Sequence, residues 1–145
     1  MNATDECIDV CNRLLRGELS AIETYSQAIA KFENDPERAA LEGIREEHEH
    51  IAARLREHLD DMGALPSASS GAWGSFARAV EGTAKALGKS LALEALQQGE
   101  EHGIDEYERA LRNPDVMIEI KTVIRGNLLP ACSEHVAALI RLRNQ

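Results

Sequence analysis

Aromatic residues are scarce in this chain. They make up 3% of its 145 residues, as one Trp, two Tyr and two Phe. Valines are few as well. Strands draw on both classes, so the shortage argues against a sheet. There are three cysteines. That number is odd and the spacing is not that of a disulfide framework, so reduced thiols and a cytoplasmic location are expected. Basic side chains number 16 against 25 acidic ones, for a net charge of −9. A surface of that sign does not suit a phosphate backbone, and no nucleic-acid partner is expected. No uncharged apolar run approaches about 18 residues, so no membrane span is expected. The opening Met1-Asn2-Ala3-Thr4-Asp5-Glu6 has neither the basic nor the apolar stretch of a secretory leader. No Ser-His-Asp arrangement, phosphate-binding Gly loop or Cys-x-x-Cys pair stands out.

What the chain does have is Ala, Leu, Glu and Arg in quantity, with 43% hydrophobic and 28% charged residues. This is the composition of one helical globular domain spanning residues 1–145. The spacing agrees. Cys11, Leu15, Glu18, Ile22, Tyr25, Ile29 and Phe32 alternate steps of four and three, which makes a seam on one helical face. Asn34-Asp35-Pro36 closes that helix and opens another, with Asp35 expected as N-cap and Pro36 as the first helical residue. The second seam is Leu41, Ile44, Ile51, Leu55, Leu59 and Met62. A loop at 63–71 leads to a short helix carrying Trp73, Phe76, Val80 and Leu87. After Gly88 a third long helix presents Leu93, Leu96, Glu100, Ile104, Tyr107 and Leu111. Asn113-Pro114 repeats the cap-and-proline signal. The fourth helix presents Met117, Ile120, Ile124, Leu128, Ala131, His135, Leu139 and Leu142. Pro130 lacks an amide to donate and should distort that helix near Gly126.

The two halves align. Gly17-Glu18, Ile22 to Tyr25 and Ala28-Ile29 fall on Gly99-Glu100, Ile104 to Tyr107 and Ala110-Leu111 at a constant offset. The only two tyrosines are equivalent, and so are the two Gly-Glu pairs. A duplicated hairpin and a pseudo-two-fold axis follow.

Glu18 and Glu100 sit in the middle of apolar stripes, where a glutamate is rarely buried unless paired or bound. His48 is flanked by Leu41, Ile44, Ile51, Ala52 and Leu55. His135 is flanked by Leu128, Ala131, Ala138, Leu139 and Leu142. Two carboxylates and two imidazoles, one from each helix, therefore converge on the interior. Three arrangements suit such a cluster: a metal-free Glu–His network, a single metal ion, or a di-metal carboxylate site. Iron, manganese or zinc would suit the donors. Side chains lean toward the N-terminus of their helix, so Tyr25 and Tyr107 should lean toward Glu18 and Glu100 and support them by hydrogen bonds. Cys7 and Cys11 read as apolar filler. Cys132, one turn before His135, could serve as a soft ligand or a redox thiol.

Arg16-Gly17-Glu18 with Tyr25, Gly71-Ala72-Trp73-Gly74, Gly99-Glu100 with Tyr107, and Leu128-Leu129-Pro130 with His135 together resemble the ferritin-like superfamily. Rubrerythrins and bacterioferritins belong to it. The chain looks most like a small bacterial ferritin-like family of unknown function. The resemblance implies an all-α four-helix bundle of two antiparallel hairpins, joined by a long crossover with a short extra helix. It also implies iron, and redox or oxidative-stress chemistry, with a homodimer as a compatible assembly. Sites of this class take single glutamates from two helices and a Glu-x-x-His from each of the others. Glu18 and Glu100 match the single glutamates. Arg45 precedes His48 by three residues and Cys132 precedes His135 by three, so neither forms the pair. A literal Glu47-x-x-His50 exists as an alternative metal pair, but His50 lies roughly 200° around the helix from His48 and should face solvent.

One expectation concerns height along the bundle. Glu100 lies 14 residues before Pro114 and His135 lies 21 after it. A tight turn there would separate them by about 10 Å at about 1.5 Å per residue. An asymmetric link, or the distortion at Pro130, must close that gap.

Overall fold

A computed structural model describes residues 2–32, 35–70 and 88–145. Four helical rods account for most of them, and no strand occurs among the described residues. The rods are α1 (Ala3–Ile29), α2 (Glu37–Asp61), α3 (Lys89–Arg112) and a composite fourth. The fourth runs from α4 (Ile118–Val123) through a π turn (Ile124–Leu128) into α5 (Leu129–Arg143). The short helix expected around Trp73, Phe76, Val80 and Leu87, with the Gly71-Ala72-Trp73-Gly74 motif, lies outside the described residues.

Local chemistry explains the ends. Asn2 caps α1 by accepting the Asp5 amide at 2.9 Å. At the far end of α2, Gly63 takes φ +71°. The Gly63 amide then returns to Asp60 O and the Ala64 amide to Leu59 O, both at 2.9 Å. This left-handed glycine stop satisfies carbonyls that the helix would leave open.

Two boundaries differ from the sequence reading. Asp35 does not cap α2: the flanking position is taken by Pro36, without a side-chain cap. The Asp35 carboxylate is engaged by Lys89 instead. Asn113-Pro114 does not open the fourth helix. The Asn113 carboxamide accepts the Asp115 amide at 2.9 Å and closes a turn, so the helix begins only at Ile118. Met117 is thereby left on extended backbone and 43% exposed, off the inner face where the periodicity had placed it.

The interruption at Pro130 takes the form of the π turn. In a regular helix Pro130 would clash with the Gly126 carbonyl and could not bond to it. The π turn inserts one residue and lets Leu129 N–H reach Ile124 O. With its amide oriented to suit both neighbours, Asn127 donates to the freed Gly126 O at 2.8 Å and accepts from Arg54.

Contacts fix the direction of the rods. Along α1 and α3, Glu6 meets Asn113, Glu18 meets Tyr107, Tyr25 meets Glu100 and Asp35 meets Lys89. One index rises as the other falls, so the two run antiparallel over their whole length. Glu18 with His48 and Ser26 with Arg45 show the same for α1 and α2.

The apolar interior comes in two lobes. One holds Cys11 and Leu15, Leu55 and Leu59, Tyr107, and Ile124 with Leu128. The other holds Tyr25 and Phe32, Leu41 and Ile44, Leu93 and Leu96, and Leu139. On every rod the cut between lobes falls at an ionisable residue: Glu18, His48, Glu100 and His135.

Candidate metal centre

The four residues expected to meet do meet. Glu18, His48, Glu100 and His135 are each no more than 4% exposed and occupy one tier. His48 stands at its centre. Its Nδ1 lies 2.5 Å from Glu18 Oε2 and its Nε2 lies 2.6 Å from Glu100 Oε1. His135 Nδ1 lies 3.3 Å from both Glu100 oxygens. Tyr107 donates to Glu18 Oε1 at 2.6 Å, and Tyr25 donates to Glu100 Oε1 at 2.8 Å.

The height problem is solved in three parts. The late start of α4 removes three residues from the rise to His135, and the π turn absorbs one more. The remaining four-residue excess is about 6 Å. His135 leans down toward the turn, because that is the N-terminal direction of its rod. Glu100 leans up, away from it, and the two side chains span the rest.

The tyrosines bond across the bundle, not along their own helices as expected. Both lean toward their N-termini. In an antiparallel pair that direction brings each hydroxyl to the glutamate of the neighbouring helix.

Glu47 was missed as a partner of the interior cluster. Its position is on the outer side of α2 and its side chain is 56% exposed, yet its carboxylate bonds His135 Nε2. Phase alone rejects it; only the reach of a long side chain brings it in. His50 is exposed, as its phase requires, so the Glu47-x-x-His50 pair does not assemble as a chelate. Cys7 and Cys11 are fully buried among apolar neighbours. Burial and Cys7 push the Cys11 thiol up to about 12. Cys132 hydrogen-bonds Glu100. Burial, with Glu18 and Glu100 beside it, raises its thiol well above the ordinary range and keeps it protonated. A thiol held in that state is a poor ligand.

The electrostatics follow from the contacts. Burial alone would lower the His48 pKa, but the Glu18 and Glu100 carboxylates on either side outweigh it and hold it well above 6.5. Burial would likewise raise Glu100. The His48 and His135 imidazoles overcome that and bring it down to about 2. Burial and the adjacent carboxylates raise both tyrosines well above 10, so they remain neutral donors. Without a metal the tier is a charged, closed network around a protonated His48.

The same tier can hold a metal ion. His48, Glu100 and His135 each offer one ligand atom within 4.8 Å of the others. Two imidazoles and a carboxylate suit iron, manganese or zinc. The edge of a tetrahedral N/O site is about 3.4 Å, close to the 3.3 Å between His135 and Glu100. The far nitrogen of each imidazole already rests on a carboxylate: His48 Nδ1 on Glu18 and His135 Nε2 on Glu47. Metal-binding histidines are oriented and made more basic in this way. A cavity of about 50 Å³ between α1 and α3 adjoins the tier and is lined by Glu18, Tyr25, His48, Glu100, Tyr107 and Cys132. It has room for water-sized ligands.

The family described as a domain of unknown function (DUF2383) matches residues 6–113. The chain belongs to this family. The DUF2383 match takes in α1, α2 and α3 with Glu18, Glu47, His48 and Glu100. It ends at Asn113, ahead of the rod that carries His135. Comparison with curated proteins and with solved structures finds no match. DUF2383 membership assigns no chemistry, so the function must be argued from the tier itself. Among the described residues no helix is long and apolar enough to cross a membrane.

Proposed function

We propose that this protein is a ferritin-like bundle that binds a transition metal of the iron type in its interior. Glu18, His48, Glu100 and His135 form the binding tier, Tyr25 and Tyr107 bond to its carboxylates, and manganese or zinc are the alternative ions. The work we assign to it is cytoplasmic metal handling or redox chemistry linked to iron or oxidative stress. Nucleic acids and membranes are not among its partners in this reading, and a homodimer is the assembly to look for. One observation carries the proposal. Two imidazoles and a carboxylate converge in a buried layer, and a carboxylate stands behind the far nitrogen of each imidazole.

The test is elemental analysis of protein purified without chelators, beside the Glu18→Ala/Glu100→Ala double variant. Bound metal in the wild type and none in the variant is the expected result. Equal, negligible metal in both ends the proposal.

A second reading has its own support. His48 is already gripped by carboxylates at 2.5 and 2.6 Å, and both tyrosines complete the ring of bonds. A helical scaffold with a metal-free Glu–His network would look the same. Crystals grown in iron, manganese and zinc that keep every one of these bonds, with no density between them, would favour it.

A further inference from the structure

We infer that the tier takes one metal ion, on the Glu100 side only, and that Glu18 is a positioning residue, not a ligand. This rests on the metal-binding reading above and departs from the paired-metal arrangement that a duplicated hairpin invites.

The argument begins with the repeat. Glu18 lies 82 residues before Glu100, and Tyr25 lies 82 before Tyr107. The backbone keeps the same relation across each hairpin: α2 begins at Glu37 and α4 at Ile118. The π turn then adds one residue to the second half. The position of α2 that answers His135 is therefore Ala52, with Ile51 beside it. Ala52 is fully buried and Ile51 is 6% exposed, both within the apolar lobe. The position that answers His48 is Ala131, next to Cys132. So the glutamates and tyrosines are duplicated, but the imidazoles are not.

The contacts show the result. Glu100 faces two imidazole nitrogens, His48 Nε2 at 2.6 Å and His135 Nδ1 at 3.3 Å. Glu18 faces one, His48 Nδ1 at 2.5 Å. Its other oxygen accepts from Tyr107 at 2.6 Å. Where a second ion at Glu18 would need another imidazole, the chain supplies Ile51 and Ala52. A neutral imidazole that gives Nε2 to a metal carries its proton on Nδ1. Glu18 is placed to accept that proton and so fixes which nitrogen of His48 faces the ion. Glu47 does the same at His135 Nε2.

The experiment uses the full chain, zinc(II) as a diamagnetic probe, and long-range 1H–15N correlation spectra of the imidazoles. At saturation, His48 Nε2 and His135 Nδ1 take metal-bound shifts and His48 Nδ1 keeps its proton. Calorimetry finds one ion at these histidines. Glu18→Gln keeps that ion with affinity lowered about 10- to 100-fold, whereas His135→Ala loses it. Metal-bound shifts at both nitrogens of His48 would show an ion on each side and overturn the inference while leaving the metal reading intact. Loss of the ion in Glu18→Gln together with its retention in His135→Ala would also overturn it. No shift at either histidine would remove the inference and the metal reading together. If His135→Ala does not fold, the wild-type spectra decide alone.

Discussion

The two hairpins use the same first helix and different second helices. In the first, α2 runs unbroken for 25 residues and brings His48 to the axis of the tier, in contact with both glutamates. In the second, the rod begins late, passes through a π turn and brings in His135 off that axis, in contact with Glu100 and Glu47 alone. Helices α1 and α3 carry the repeated Gly-Glu and Tyr and make the reciprocal Tyr–Glu bonds across the bundle. The difference shows how a duplicated scaffold reaches an unsymmetrical site. The helices that supply carboxylates keep the symmetry, and those that supply imidazoles abandon it.

The sharpest way to break this comparison is to delete one carboxylate at a time. Glu100→Ala strands two imidazoles in the interior and should cost about 3–5 kcal/mol, as expected when one partner of a buried charged network is removed. Glu18→Ala strands only one nitrogen and should cost about 2 kcal/mol. Urea denaturation of metal-free protein measures both, and equal losses would contradict the asymmetry.

Acid should reveal the same carboxylate. Glu100 is held at about 2 in the folded protein against an ordinary 4.5. Its contribution is therefore full above pH 4.5 and disappears as pH falls toward 2, for a loss on the order of 3 kcal/mol. His48 works in the opposite sense. Its raised pKa gives stability that is full below pH 6.5 and is lost as pH climbs through the raised value. The two groups are coupled, so the energies describe the pair. Denaturation of metal-free protein across pH should show stability falling off on both sides, and Glu100→Gln should flatten the acid side.

The smallest net effect concerns the backbone. Deleting Gly126, whose surroundings are open, should convert the π turn to a regular turn and leave His135 in phase. It would also force Pro130 into an ordinary helix, at a cost of about 3 kcal/mol. Adding Pro130→Ala should bring the cost back near zero. Thermal melts check the energies, and the His135 imidazole shift checks that its bond to Glu100 survives.

Much of this was legible before any coordinates. Period-seven seams place Glu18, His48, Glu100 and His135 inward because burial on a helix follows phase. His50 is exposed for the same reason. Other features depend on relations between helices, which phase does not encode. Tyr25 and Tyr107 bond across the bundle because their neighbours run antiparallel. Asp35 leaves its cap for Lys89, far along the chain. Glu47 starts from an outward position and reaches inward only because its side chain is long. Pro130 announced a distortion, but the π geometry came from the Gly126 carbonyl and the Asn127 side chain that satisfies it.

The ionic tier divides the oily interior at mid-height, and each half draws on all four rods. Prising one hairpin from the other would therefore open both halves at once. The chain has no partly detached form in which one hairpin keeps a dry interior of its own, so its weakest plane lies across the rods and not between the pairs.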